Sequence, residues 1–418
     1  MRMRCLQTEL LVQAGRLLLE YNESTRAIQH ALTTTASALT DDACHVVVSY
    51  GSVAVSLGGN TSALVPVREL RYNTAVQARV HAILGRVRDG HLEPMAALTE
   101  LGRVEAETPR HPQWVAILVL GLAATSLAVL LRADTGAAAV AGVATGLGLV
   151  VRQALGRRHF SLLTLPLAAA LVGAVAGGGA IRLGWTQTPE LALVVPALMV
   201  VPGPHLINGV LDLIDNYVPM SMARLGLAAG IQLAGALGVV LGVELTVRSP
   251  LPVTTAAAGR LDLVSDVVLA GVATCGFAVF YNTTWSQVGL AALGGMVGHG
   301  LRYLALEVGT DLVPATLLGG LAVGAVAAGI ARAGKIPVAV IAFAGAVPMI
   351  PGLHMYRALA GALHIARLAN EADTAAVAET LANAAYAGLG ISGLALGLIL
   401  GVRTVQATCE RSTAPAPS

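Results

Sequence analysis

Two short stretches gather the residues best able to do chemistry in an otherwise apolar chain. In Pro202-Gly203-Pro204-His205, the break is followed by Asn208 and Asp212, so His205, Asn208 and Asp212 fall at i, i+3 and i+7 on one helix face. In Pro351-Gly352-Leu353-His354, the same pair opens a segment with Tyr356, Arg357 and His364. The new helix starts at Pro204 and Leu353 offer unpaired N–H groups and a positive dipole end, which suit a carboxylate. Asp212 and Asp215 on one segment and Arg357 and His364 on the other are opposite in sign, matching the two ends of a zwitterion. Asn208 and Tyr356 can hydrogen-bond a hydroxyl. Histidine titrates nearest to physiological pH, so His205 and His354, beside Asp212, are the expected proton-coupling residues. Pro202, Gly203, Asn208, Asp212, Pro351, Gly352, Tyr356 and Arg357 are the expected substrate-binding residues.

These residues must be positioned by broken membrane helices. Of 418 residues, 55% are hydrophobic and 12% charged, the composition of a polytopic helical membrane protein. The run 191–201 is eleven residues, short of the roughly 20 that a helix needs to span a bilayer. Proline removes a backbone donor and clashes with the preceding turn, while glycine tolerates the bend, so the helix breaks at Pro202-Gly203 and restarts. Broken backbone at membrane depth survives only where it is buried in protein or lines a watery cavity. The second Pro-Gly-x-His lies 149 residues after the first, and Leu237–Val243 resembles Leu396–Val402 at an offset of 159. The chain therefore reads as a duplication with a ten-residue insertion between landmarks in its second copy. Paired interrupted helices in two halves point to a transporter's binding site.

Spans are expected at 114–131, 136–151, 162–181, the broken 191–217, and 220–245, then at 263–280, 288–306, 315–331, the broken 336–363, and 384–402. Five spans per half invert the second half relative to the first. The expected organisation is a soluble cytoplasmic α+β region at 1–112, a first five-helix repeat at 113–247, a linker at 248–260, a second five-helix repeat at 261–403, and a disordered tail at 404–418. In the first region, helices are expected at 6–20, 24–39, 72–89 and 93–107, with a hairpin of 44–49 and 53–57 and a short strand at 63–67. Ser24 or Thr25 reads as a helix N-cap. With the N-terminus inside, ten arginines and lysines, Arg152 and Arg224 among them, flank the spans on the inner side. Seven, with Arg302 and Arg357 among them, flank the outer side. No export signal precedes the first region, which also favours a cytoplasmic N-terminus.

The ordered residues match a known pattern. A Glu23-Ser24-Thr25-Arg26 helix start and a Val-rich hairpin precede five spans carrying Pro202, Gly203, Leu206, Asn208, Gly209 and Asp212. A second five-span half carries Pro351, Gly352 and Tyr356. The chain resembles the threonine/serine exporter family over nearly its whole length, from about residue 9 to residue 402. The resemblance implies export of threonine and serine from a bacterial cytoplasm across the plasma membrane, coupled to the proton motive force. It also implies relatives with separate halves that are linked to succinate export.

Other classes lack their signatures. There is no G-x-x-x-x-G-K-[ST], and Lys335 is the only lysine, which argues against direct ATP drive. No H-E-x-x-H or G-x-S-x-G supports an enzyme, and His45, Ser49 and Asp41 or Asp42 on a strand and its approach make a weak triad. Cys5, Cys44, Cys275 and Cys409 have no ligand spacing, so no metal, cofactor or disulfide is expected. A net charge of +2 gives no nucleic-acid signature. The partners expected are a small amino acid, protons and the bilayer, with homo-oligomerisation left open. A dicarboxylate exporter and a membrane sensor or channel with an N-terminal ligand domain remain alternatives. So do structural roles: Asp212 and Arg357 as an interhelical pair, His205 or His354 capping a carbonyl, Asp215 and His364 solvated at the membrane surface. Asp262, Asp266, Glu307 and Asp311 are expected at loop ends (with a reach into the bundle left open for Asp266), Arg224 as an inner-surface anchor, and Gln232 as interhelical glue or a pathway residue.

Overall fold

The computed structural model describes residues 2–59, 61–247, 261–334, 336–368 and 373–413. The expected linker at 248–260 lies outside them, as do Lys335 and residues 414–418.

The first region is α+β. Helices α1 (Arg2–Glu20), α2 (Thr25–Leu39), α3 (Thr74–Arg88) and α4 (Pro94–Glu107) accompany an antiparallel sheet of β1 (Cys44–Ser49), β2 (Ser52–Leu57) and β3 (Thr61–Pro66). Strand alternation sets the packing: Val53, Val55 and Leu57 of β2 are buried with Leu10, Leu17, Leu18 and Leu32 from the helices. Ser24 is the N-cap of α2, its side chain accepting from the Ala27 N–H. His45 and Ser49 both lie on the exposed side of β1, and the Ser49 hydroxyl meets that of Ser52 at 2.8 Å, so no triad forms.

The rest is helical. Among the described residues, seven helices are long and apolar enough to cross a membrane: α5 (Gln113–Leu130), α6 (Thr135–Arg157), α7 (Thr164–Arg182), α10 (Val218–Thr246), α11 (Leu263–Phe280), α13 (Leu312–Gly334) and α16 (Thr374–Thr413), the last within 374–408. Two bent pairs also qualify. One is α8 (Pro189–Leu198) with α9 (Gly203–Ile214), bent by 67°; the other is α14 (Val338–Ala346) and the turn Val347–Met349 with α15 (Gly352–Leu368), bent by 51°. Helix α12 (Trp285–Glu307) has 23 residues but carries Gln287, His299, Arg302 and Glu307, and it does not qualify by composition. The outward faces are apolar, as on α10, where Leu233, Leu237, Leu241 and Leu245 are exposed. The protein is thus a polytopic helical membrane protein.

The two halves match element by element. Helices α5 and α11 each have 18 residues, and α6 and α12 each have 23, with starts 150 residues apart. Arg132 and Asn282, the left-handed residues that end the first turn of chain in each half, are also 150 apart. The landmark glycines have a packing reason. A Cβ on Gly238 would lie 2.3 Å from the Leu167 carbonyl of α7, and one on Gly397 would lie 2.1 Å from the Leu317 carbonyl of α13. Both helices therefore approach backbone to backbone. The insertion lies partly in α15, with 17 residues against 12 in α9.

The last helix differs most from expectation, beginning at Thr374 rather than 384 and running on past 402. Residues 404–413, expected to be disordered, continue α16. No glycine or proline interrupts 402–414, and the Thr404 hydroxyl donates to the Leu400 carbonyl within the helix.

Candidate functional site: two crossed helix breaks

The two breaks are made the same way. The Gly203 N–H donates to the Val201 carbonyl (2.8 Å), and the Gly352 N–H donates to the Ile350 carbonyl (2.7 Å). Each is a three-residue turn centred on a proline. Pro202, at φ −80° and ψ 64°, has the inverse γ geometry that proline's fixed φ favours. One turn on, the Leu206 N–H returns to Pro202 and the Met355 N–H returns to Pro351, both at 3.1 Å.

The breaks also face each other. A Cβ on Gly203 would meet Ile350 at 3.0 Å and Val347 at 3.2 Å, just ahead of the second break. A Cβ on Gly352 would meet Leu198 at 3.2 Å and Val201 at 3.7 Å, just ahead of the first. Pro202, Gly203, Pro351 and Gly352 are thus brought together, each break resting on the chain that leads into the other.

The polar face of α9 is occupied by the first region. The Asn208 amide donates to the Asn22 carbonyl (2.6 Å), and Asp212 accepts from the Thr25 N–H (3.1 Å). Asp212 also lies 3.4 Å from Arg224 Nε, and Arg224 Nη2 donates to the Glu23 carbonyl (2.5 Å). Arg224 is fully buried rather than an anchor at the surface, because α2 and the loop before it cover it. Neighbouring Tyr21 donates to Glu105, and burial together with that bond pushes its phenol up to about 12, so it stays neutral. His205 is buried, its ring 5.3 Å from that of Tyr72, and its Nδ1 has no partner among the described residues.

The second break carries different partners. Arg357 makes a bidentate pair with Glu190 of α8, at 2.7 and 2.8 Å. Asp212 and Arg357 are therefore not paired with each other, and each already has an opposite charge. His354 Nδ1 meets Asn383 at 2.8 Å. The Tyr356 hydroxyl and Asn208 Oδ1 are buried without partners among the described residues. Asp215 pairs with Arg26 and Arg403, His364 is exposed, and the Gln232 amide lies 3.9 Å from the Met355 sulfur between α10 and α15.

Sequence reasoning missed two contributors, and the partner of a third, Asp266, whose reach into the bundle it leaves open. Glu190 reads as an ordinary first-turn acid of a helix, and nothing local announces its partner 167 residues away. The Asn22–Thr25 loop was visible only as a helix start. Asp266, expected at a loop end, is buried and 2.5 Å from His299 Nδ1 on α12. Its i+33 partner lies on another helix, outside any local pattern.

Two cavities flank the crossing. One, of about 400 Å³, is lined by Tyr72, Arg152, Pro202, His205 and Tyr281 and opens beside the first region. The other, of about 370 Å³, is lined by Asp266, His299, Arg302, Pro351 and His354. Ala116 of α5 and Phe280 of α11 line the first cavity, Leu127 and Leu130 of α5 and Asp266 and Phe277 of α11 line the second, and Val115 and Ala116 at the start of α5 pack with Ala278 and Val279 at the end of α11. The two helices therefore run antiparallel, and the cavities lie at opposite ends of the bundle.

Known proteins are similar to this chain in sequence. A family model described as putative threonine/serine exporter matches residues 9–246, and a second, described as threonine/serine exporter, matches residues 266–403. A threonine/serine exporter of Corynebacterium glutamicum is 26% identical over 343 residues, covering 80% of this chain and 68% of the relative. A probable succinate transporter subunit of Klebsiella aerogenes is 24% identical over 246 residues, covering 57% of this chain and 93% of the relative. Its counterpart in Escherichia coli is 22% identical over 242 residues, covering 57% and 94%. No solved structure matches.

Proposed function

The chain belongs to the threonine/serine exporter family, and we propose that it is a secondary transporter moving threonine and serine out of a bacterial cytoplasm, driven by the proton motive force. The observation that carries this reading is the reciprocal crossing of the two Pro-Gly breaks, with a cavity on either side of it. Interrupted helices that meet between two repeats are the arrangement in which transporters bind substrate.

The architecture we propose is ten spans in two inverted five-helix repeats, with the N-terminal α+β region in the cytoplasm. Counting α12 with the seven long helices and the two bent pairs gives ten. The antiparallel course of α5 and α11 supports the inversion. The substrate site lies at the crossing. The unpartnered Asn208 Oδ1 and Tyr356 hydroxyl are the groups offered to a substrate hydroxyl or ammonium. Unpartnered buried polar atoms call for a ligand or water. Protons are carried by His205 and His354, and Asp212 tunes the first of these through its pair with Arg224.

A second reading is dicarboxylate export, favoured by the relatives named as succinate transporter subunits, which align with just over half of this chain. Cells preloaded with labelled threonine, serine and succinate, with and without a protonophore, separate the two. The proposal expects threonine or serine efflux above the empty-vector level, abolished by the protonophore. Efflux of succinate alone supports the second reading, and efflux that ignores the protonophore removes the coupling.

A further inference from the structure

The cavities contain two charged groups that the site above does not use. Arg152 is residue 18 of the 23-residue α6, and Arg302 is residue 18 of the 23-residue α12, so they are 150 residues apart at equivalent positions. Arg152 lines the first cavity and Arg302 the second. In sequence both look like flank charges that set orientation. In the fold both reach inward.

Among the described residues, neither arginine forms an ion pair with a carboxylate. Among the described residues, Arg152 makes no ion pair; its guanidinium lies 5.4 Å from the centre of the Phe280 ring, near the buried hydroxyls of Tyr72 and Tyr281. Arg302 Nε is buried without a partner, and its Nη1 is 3.4 Å from His299 Nε2. Asp266, whose charge reaches Arg302, is held by the other nitrogen of His299. The contrast within the same bundle is informative. Arg224 faces Asp212 and Arg357 faces Glu190, so each of these two arginines already has its own carboxylate. An arginine inside a membrane protein is costly, and one left without an anion is a candidate for binding one. The planar guanidinium fork matches a carboxylate in two parallel hydrogen bonds. Arg152 lies over the Phe280 ring and lines the cavity.

We propose that Arg152 and Arg302 are paired carboxylate anchors, one in each cavity, and that the substrate's carboxylate is bound by Arg152 on the side of the N-terminal region and released from Arg302 on the other. This rests on the transporter reading and names the group of the substrate that both cavities recognise. It holds for an amino acid and for a dicarboxylate alike. The crossing of the breaks separates the two anchors, so the handover requires the breaks to shift past each other.

The test uses the full-length protein in liposomes and in detergent. Phenylglyoxal, which modifies arginine, is applied to the wild type, and adducts at Arg152 and Arg302 are read by mass spectrometry. Threonine, serine or succinate is expected to protect both arginines, and threoninol, which lacks the carboxylate, to protect neither. In liposomes, Arg152→Gln is expected to weaken half-saturation by roughly 30-fold or more from the face that carries the N-terminal region, and Arg302→Gln by a similar factor from the opposite face only. Arg152→Lys keeps the charge but not the fork and is expected to fall between. Lack of protection by all three carboxylates, or equal protection by threoninol, overturns the proposal. So does wild-type half-saturation from both faces in the two glutamine variants; normal efflux by those variants would leave the exporter reading standing while removing the anchors. Protection without cellular efflux would do the reverse.

Discussion

The helices that follow the two breaks begin with the same turn and end up held very differently. Helix α9 is buried from Gly203 to Val210 and again at Asp212, and its polar face is gripped by Asn22, Thr25 and Arg224. In α15, among the described residues, only Gly352 and Tyr356 are buried, and two side-chain contacts to neighbouring helices, Arg357 to Glu190 and His354 to Asn383, hold its polar side. One proline-glycine turn thus serves as a fixed post in the first half and as a lightly held element in the second. Segments with little buried surface open at low free-energy cost, so α15 is the part of the crossing expected to move.

The largest effect is expected at the fixed post. Arg224→Gln leaves Asp212 buried without its cation and should lower stability by about 3–5 kcal/mol in unfolding of the purified protein, with Asp212→Asn in the same chain recovering much of it. A small loss would mean that α9 is not held by this pair. Next comes Thr25→Pro. Thr25 is the first residue of α2, where proline is tolerated, and Ser24 before it is already extended (φ −67°, ψ 149°). The change removes the N–H that Asp212 accepts, so a loss of roughly 1.5–3 kcal/mol is expected with α2 intact by circular dichroism.

On the lightly held side, Glu190→Gln should cost about 2 kcal/mol or less, because Arg357 is 29% exposed and water can solvate it. Its efflux rate should change more than its stability does; the opposite result would make α15 a structural element like α9. The smallest effect sharpens the comparison at the helix starts. Burial would raise the Asp134 carboxyl, but N–H groups of Ala137, Gln187 and Thr188 and the Thr186 hydroxyl hold it below its ordinary value. Its contribution is therefore present above the unfolded carboxylate range and lost as pH falls through the lowered folded value. Asp134→Ala should cost about 1 kcal/mol near neutral pH and nothing in strong acid. Thr284, 150 residues on, makes no side-chain cap, so Thr284→Ala should cost far less.

Much of this was legible in the chain, and the limits are physical. Both breaks follow from Pro202-Gly203 and Pro351-Gly352 because proline and glycine act locally, on their own turn. Helix and strand positions in the first region follow from periodicity, as with β1 at Cys44–Ser49. The partners of the charged residues were not legible. Asp212 and Arg357 were obvious as charges of opposite sign, but Arg224, Glu190 and the Thr25 N–H reach them across tertiary distance. Arg152 and Arg302 sit within a turn or two of their helix ends, where an inward-facing arginine and a membrane-surface one share the same sequence pattern. Only the packing of other helices around them tells the two apart.

The central claim is that substrate passes where the two breaks cross and that they must move apart for it to do so. Cysteines at Val201 and Gly352, in a chain otherwise free of cysteine, test this directly. A Cβ on Gly352 would lie 3.7 Å from Val201 Cγ2, so side chains at the two positions touch. The account predicts that oxidation forms the cross-link and stops efflux of labelled threonine or serine, and that reduction restores it. A complete cross-link with efflux unchanged would contradict the claim.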